Sequence, residues 1–207
     1  AMDYDGGIDI TLTKRIPSEA GMAGGSADAA AVLRALRDFV SPALTDERLE
    51  QIGASVGSDV PFCIRGGTQL AEGRGEKLTV LKSAPKLFAV VCKPDFPIST
   101  PALFARVDGV TITDRPDTAA MLAAIERGDA DALCASVCNV FEQALEGKQR
   151  ECIEKLKHAL LLHGAKAAAM TGSGSVVFGL FSDETACRAA CDALQSGSIQ
   201  TFCTEFV

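Results

Sequence analysis

Residues 17–31 read Pro17-Ser18-Glu19-Ala20-Gly21-Met22-Ala23-Gly24-Gly25-Ser26-Ala27-Asp28-Ala29-Ala30-Ala31, and how this stretch is read decides the fold. It begins as a glycine-rich loop and ends in a helical pattern carried on by Val32, Leu33 and Leu36. Glycine permits positive φ and lets another molecule approach the backbone with no Cβ in the way. The first N–H groups of the following helix have no acceptor of their own, and the helix dipole adds about 0.3–1 kcal/mol in favour of negative charge there. Together these features suit a polyphosphate. A small-residue loop that lets a helix pack closely on a sheet accounts for the same letters, because a lone glycine run is a weak motif. Two further stretches bear on the choice: Gly57-Ser58-Asp59-Val60-Pro61-Phe62 and Met170-Thr171-Gly172-Ser173-Gly174-Ser175-Val176-Val177-Phe178.

A chain of 207 residues accommodates one large domain or two small ones, and 47% apolar against 23% charged residues marks it as globular. The formal net charge of −7 argues against broad contact with nucleic acid or an anionic membrane, so any phosphate must be held locally. No run approaches a membrane span, and the first residues lack the order of a signal peptide; a cytosolic protein is expected. Ala1 ahead of Met2 reads as the remnant of a cleaved tag, with Met2 opening the native frame. The cysteines (63, 92, 134, 138, 152, 187, 191, 203) include no Cys-x-x-Cys pair, and His158 and His163 are the only histidines, so a zinc site is not expected. Cys134 with Cys138, and Cys187 with Cys191, fall four apart on expected helices, and the thiols are expected to be buried or half-buried in a reducing compartment. The two histidines lie near the end of a helix that stops at Gly164, where a capping or surface role suits them.

Taken in order, residues 8–13 alternate, with Ile8, Ile10 and Leu12 against Asp9, Thr11 and Thr13, which predicts a strand with one buried face. A helix is expected over about 25–39, then a second capped by Thr45 and ending at Gly57. Pro61 biases Val60 away from helix, so Asp59 is placed on a fixed bend before an apolar strand over 62–64, its carboxylate either held outward or used as a turn or cap acceptor. Short strands are expected over 68–72 and 77–81, and a domain boundary at 82–85. Beyond it come a buried strand over 87–92, a short helix with Thr100 as N-cap and Pro101 at its first position, helices near 117–126, 129–138 and 148–163, a strand over 167–170, and a glycine turn over 171–175. A strand over 176–181, a helix over 183–195 and a strand over 201–206 finish the chain. The second half thus reads β-α-β-β-α-β, the split βαβ arrangement with extra helices in its first crossover.

The P-loop pattern is absent, since no Gly-Lys-Ser or Gly-Lys-Thr occurs, and so is a complete dinucleotide fingerprint. Residues 17–30 instead closely resemble the ATP loop of the GHMP small-molecule kinases, Gly57-Ser58-Asp59-Val60-Pro61 resembles the segment carrying their catalytic aspartate, and Met170-Thr171-Gly172-Ser173-Gly174-Ser175 resembles their third glycine motif. Within that superfamily the wording is most similar to the 4-diphosphocytidyl-2-C-methyl-D-erythritol kinases of non-mevalonate isoprenoid (terpenoid) synthesis. The details that point there are Gly24-Gly25-Ser26 followed by Asp28, the Asp59-Val60-Pro61 context, and Ala71-Glu72-Gly73-Arg74-Gly75-Glu76.

The resemblance implies an α+β, two-domain GHMP-kinase-like fold, with an incomplete N-terminal ATP-binding domain over 1–83 and a ferredoxin-like βαββαβ C-terminal domain with extra helices over 84–207. It implies transfer of the ATP γ-phosphoryl group, with Mg²⁺, to the tertiary hydroxyl of a cytidyl diphosphate-linked polyol. Pro17, Ser18, Glu19, Ala20, Gly21, Met22, Ala23, Gly24, Gly25, Ser26 and Ala27 would wrap the triphosphate, and Ser26 would also approach the metal. Asp59 would orient or deprotonate the accepting hydroxyl. Gly172, Ser173, Gly174 and Ser175 would close over phosphates and substrate. Family members open with a catalytic lysine and aromatic residues that hold the cytosine, and nothing before Ile8 matches; Lys14 stands in another context and is assigned no role. Ala23 replaces a glycine found in many members, which requires negative φ there. The chain is therefore expected to be catalytically poor. Other GHMP kinases, acting on homoserine, mevalonate or a sugar, are the alternative enzymes; a non-catalytic fold that binds nucleotide, or that forms a homo-oligomer through exposed N-terminal domain surface, is the other alternative. No nucleic-acid or membrane partner is expected.

Overall fold

The computed structural model of the protein describes residues 4–206, so Ala1 and Met2, read as the start of the native frame, lie outside the described residues. The chain divides into two compact units. The first comprises the residues up to Ser18 together with Ala23–Leu81, and the second comprises Glu19–Met22 with the residues from Lys82 onward.

In the first unit, α1 (Gly24–Val40), α2 (Asp46–Val56) and α3 (Val60–Arg65) pack together ahead of a hairpin of β1 (Gln69–Glu72) and β2 (Lys77–Val80). Ala30 of α1 is fully buried, and its small side chain lets the helices close over Leu49, Val60 and Ile64. Thr45 caps α2 by accepting from Arg48 N–H, as its sequence predicts. The antiparallel hairpin, registered from Gln69↔Val80 to Glu72↔Lys77, is a two-stranded sheet joined to no other strand among the described residues.

Two expectations fail in this unit. Residues 8–13 form no strand, and Ile8, Ile10 and Leu12 stand 46%, 62% and 61% exposed. Alternation specifies a strand only where a neighbour takes its N–H and C=O groups, and no described strand lies beside it. Residues 62–64, read as a strand, are helical. Pro61 falls in the first turn of α3, where its missing N–H costs nothing, and the helix end is satisfied from outside. The Arg34 guanidinium donates to Cys63 O at 2.8 Å and Ile64 O at 3.1 Å, and Gln69 Nε2 donates to Gly66 O at 2.9 Å and Phe62 O at 3.2 Å. A six-residue helix is marginal alone, and these donors together with buried Val60 and Ile64 stabilise it.

The second unit holds a four-stranded antiparallel sheet in the order β4-β5-β3-β6, with β3 Phe88–Pro94, β4 Ala167–Met170, β5 Val177–Phe181 and β6 Ile199–Glu205. Placing the first and third strands centrally is the ferredoxin-like topology, and the chain is α+β as expected. β3 is buried along most of its length, with Val90 and Cys92 fully covered. Its first crossover carries α4 (Thr100–Gly109), α5 (Thr118–Arg127), α6 (Ala130–Ala135), a 3-10 turn (Val140–Ala144) and α7 (Gly147–Leu162), and α8 (Glu184–Leu194) forms the second. Leu156 and Leu160 of α7 and Cys187 and Ala190 of α8 enter the same core as Val90, Val177 and Phe181.

Ser99, rather than Thr100, is the N-cap of α4. Helix α6 ends at Ala135, so Cys138 does not share its face with Cys134, and the 3-10 turn had no local signal. All eight cysteines are buried or half-buried free thiols, and burial pushes Cys92 and Cys187 up to about 12. His158 is exposed on α7, and His163 is that helix's C-cap residue. Among the described residues no helix is long and apolar enough to cross a membrane.

Candidate functional site

The glycine-rich stretch is divided between the two units, and each part is built differently. In the first unit, half-buried Pro17 and exposed Ser18 precede the break, and the chain resumes at Ala23 as the N-cap of α1. Ala23 has φ 50° and ψ 28°, the left-handed region, which overturns the negative φ expected there. No side chain caps α1, and the first helical donation runs from Ala27 N to Ala23 O at 2.9 Å. The N–H groups of Gly24, Gly25 and Ser26 therefore have no protein acceptor among the described residues. A Cβ on Gly24 would lie 2.9 Å from Ile16 Cγ2 and 3.2 Å from Lys14 Nζ, whereas one on Gly25 would meet nothing within 4 Å. Lys14, assigned no role from sequence, is thus drawn to the start of α1, where its ammonium pairs with Asp28. Ser26 and Ala27 are half-buried in the first turn.

Glu19–Met22 packs within the second unit. Ala20 is 3% exposed against Val91 and Val176, with Met22 beside them, and its carbonyl accepts from Val176 N–H at 3.3 Å. Glu19 is exposed with φ 51°, a second non-glycine residue in the left-handed region. Gly21, at φ 69°, has no space for a side chain, since a Cβ would lie 2.2 Å from Thr171 O. The Thr171 hydroxyl donates to Gly21 O at 3.1 Å, and a Cβ on Gly172 would lie 2.9 Å from that same oxygen. The first and third glycine stretches are therefore brought into direct contact. Gly174, at φ 79°, is equally enclosed, by Met170 and Ile98. The Ser173 hydroxyl bonds to that of Thr100 at 2.6 Å, and the fully buried Ser175 donates to Phe96 O at 2.6 Å, so both hydroxyls hold the turn in place. Asn139 and Glu142 also bind this turn and carry no motif that sequence reading could have flagged.

Asp59 is the N-cap residue of α3, at φ −90° and ψ −7°, yet its side chain makes no cap hydrogen bond. This removes the capping alternative. The exposed carboxylate takes only a long contact from Ser58 Oγ at 3.5 Å. Gly75, in the turn between β1 and β2 at φ 107°, faces it, and a Cβ there would lie 3.4 Å from Asp59 Oδ1. The 71–76 stretch that the sequence singled out is thus the neighbour of Asp59. Within it, the Glu76 carboxylate accepts from its own N–H and that of Arg74, which holds its pKa below the ordinary carboxylate value. Burial, aided by the Asp59 charge, pushes the nearby Cys63 thiol up, so it stays protonated.

Comparison with known proteins gives a consistent family. The profile described as GHMP kinases N terminal domain matches residues 1–67, and the GHMP kinases C terminal profile matches 121–199. A 4-diphosphocytidyl-2-C-methyl-D-erythritol kinase of Caldicellulosiruptor saccharolyticus is 42% identical over 91% of this chain and 65% of its own length. One from Exiguobacterium sibiricum is 41% identical over 98% of the chain and 68% of its own. The chain spans 62–65% of the length of the first curated relatives it matches. A crystal structure of 4-(cytidine 5'-diphospho)-2C-methyl-D-erythritol kinase superposes with a TM-score of 0.77 at 29% identity, covering 93% of this chain and 68% of that one. A homoserine kinase from Cytophaga hutchinsonii shares the fold at a TM-score of 0.71 and 17% identity, over 94% and 68%.

Left-handed φ costs an L-residue roughly 1–2 kcal/mol, and glycine escapes this at the expense of a more flexible unfolded chain. Ala23→Gly should therefore stabilise the first unit by about 0.5–1 kcal/mol. Urea denaturation followed by amide exchange in α1 checks this, and a lower midpoint would contradict the strain assigned to Ala23.

Proposed function

The chain belongs to the GHMP kinases, and from that premise we propose that it moves the γ-phosphoryl group of ATP to the tertiary hydroxyl of 4-diphosphocytidyl-2-C-methyl-D-erythritol. Residues 1–83 are its N-terminal, ATP-binding domain and 84–207 its C-terminal domain. The observation that carries this is the start of α1, where three N–H groups have no protein acceptor among the described residues and a Cβ on Gly25 would meet nothing within 4 Å. A triphosphate supplies what those donors lack, and the helix dipole favours it.

In this mechanism Pro17, Ser18, Glu19, Ala20, Gly21, Met22, Ala23, Gly24, Gly25, Ser26 and Ala27 wrap the triphosphate, mostly with backbone. Gly172, Ser173, Gly174 and Ser175 form the second phosphate and substrate loop, supported by their contact with Gly21. Asp59 accepts the hydroxyl proton as the acceptor oxygen bonds to the γ-phosphorus and the bridging oxygen leaves with its electron pair. Its uncapped, exposed carboxylate suits that task. Ser26 would offer its hydroxyl to a nucleotide-borne Mg²⁺, which would supply charge neutralisation at the phosphates, while Asp28 is engaged by Lys14. Preorganised N–H groups offset charge on the transferring phosphoryl group without reorganising.

Self-association is a second reading, favoured by the exposed apolar edge of Ile8, Ile10 and Leu12. Two copies pairing antiparallel along residues 8–13 would satisfy backbone groups that have no strand beside them.

Gly25→Ala adds a methyl group where the protein leaves room, so the fold should be unchanged or more stable by up to about 1 kcal/mol. ATP affinity should nevertheless fall at least tenfold by calorimetry; unchanged affinity would place the phosphates elsewhere. With the sequence extended to the relatives' length, Asp59→Asn should lower transfer about 10²- to 10⁴-fold while ATP affinity stays within threefold. Undiminished turnover would remove Asp59 from the mechanism. Light scattering should show a concentration-dependent dimer that Ile10→Lys dissociates, and a monomer at all concentrations would dismiss pairing through residues 8–13.

A further inference from the structure

We propose that Asn139 is a positioning residue that aims the Ser173 N–H at a phosphate oxygen, with Glu142 holding the strand from which that turn springs. The proposal rests on the phosphoryl-transfer reading and names the groups that orient its second loop.

The turn over 171–175 contains Gly172 and Gly174, both at positive φ, and such residues lose more conformational entropy on ordering than any others. Something must fix them. On one side Thr171 N–H bonds to Val176 O at 2.9 Å, continuing the pairing of β4 with β5. The opposite side of β4 is a sheet edge, and there the backbone groups of Met170 and Gly172 meet side chains rather than a strand. Glu142 Oε1 accepts from Met170 N–H at 2.6 Å, while its other oxygen pairs with Lys157. Asn139 Nδ2 donates to Met170 O at 2.6 Å and to Gly172 O at 2.9 Å, and Asn139 Oδ1 accepts from Phe141 N–H at 3.0 Å.

Two carbonyls and one N–H surround the Asn139 amide, so its orientation is forced: the nitrogen must face the carbonyls. Aspartate matches its shape and can cap Phe141 but has nothing to donate. Leucine has neither function, and glutamine is a methylene too long.

The bond to Gly172 O has a consequence one atom further on. The peptide joining Gly172 to Ser173 is planar, so turning its C=O toward Asn139 turns the Ser173 N–H the opposite way. That N–H has no acceptor among the described residues, and neither does the N–H of Gly172, whereas Gly174 N–H is tied to Thr171 O at 2.9 Å. Asn139 thus leaves a donor pointing out of the turn, fixed before any ligand arrives. Preorganisation of this kind lowers the cost of binding an anion.

The test uses the ¹⁵N-labelled chain with ATP as the probe. In the unaltered chain ATP should shift the amides of Gly24, Gly25, Ser26 and Ser173. Asn139→Asp should abolish the Ser173 shift and weaken ATP about tenfold, with the amide shifts of β5 and α8 unmoved, which a loss of general stability would not produce. Glu142→Ala should weaken ATP similarly, and Glu142→Gln, which keeps an acceptor for Met170 N–H, should restore affinity to within threefold. Retention of the Ser173 shift in Asn139→Asp overturns the proposal. ATP shifting residues 24–26 but never Ser173 overturns it alone, and ATP shifting neither set overturns the kinase assignment and this proposal with it.

Discussion

Gly21 and Gly172 touch where neither could carry a side chain, and that missing Cβ is the constraint on which the second unit's loops depend. A methyl group on Gly21 would sit 2.2 Å from Thr171 O, far inside contact distance. The Thr171 hydroxyl then locks the pair by donating to Gly21 O, across 150 residues of sequence. Ala20 and Met22 anchor the same short segment into Val91 and Val176. The segment Glu19–Met22 is thereby anchored to the second unit through buried Ala20. Two turns that would be mobile in isolation become one fixed surface of backbone groups, because each occupies the space that the other's side chain would need.

The first unit solves a comparable problem with side-chain donors. Asp59 must sit at the start of a helix without capping it, and the helix has only six residues. Its stability comes from the far end, where Arg34 and Gln69 saturate carbonyls that a longer helix would leave to water. Bonds from a charged donor contribute about 1.5–3 kcal/mol each, enough to decide a marginal helix. Holding α3 from its C-terminal end and burying Val60 and Ile64 fixes the bend at Asp59 while the carboxylate keeps its lone pairs available.

Local patterns predicted the elements whose reasons are local. The α1 periodicity, the Thr45 cap, the buried run around Val90 and the β-α-β-β-α-β order of the second unit all appear as read. Residues 8–13 failed because alternation describes a side-chain pattern and says nothing of whether a partner strand is present. Residues 62–64 failed because three apolar letters after a proline suit a strand or a helix equally, and donors at positions 34 and 69 settled the matter. The positive-φ turns at Gly21, Gly172 and Gly174 and the bend at Asp59 were legible because backbone conformation leaves a mark on residue type. Asn139 and Glu142 were not, since a side chain that binds a backbone carbonyl or N–H about 30 residues away leaves no spacing to recognise. Lys14 was set aside for its context, yet the chain folds it back to Asp28.

The way donors are distributed bears on the net charge. For the nucleotide binding proposed above, a formal charge of −7 supplies no attraction through the overall field, so the attraction would be short-ranged and directional. Backbone N–H groups meet that need, since they carry no net charge and their directions are set by the fold rather than by flexible side chains. Backbone conformation in this stretch has a cost, visible at Glu19 and Ala23, two non-glycine residues held at φ 51° and 50° on either side of Gly21. Strain of this size persists only where the surroundings over-determine the backbone. At Glu19 the surroundings are the packing of Ala20 and the closed space at Gly21, and at Ala23 they are the start of α1.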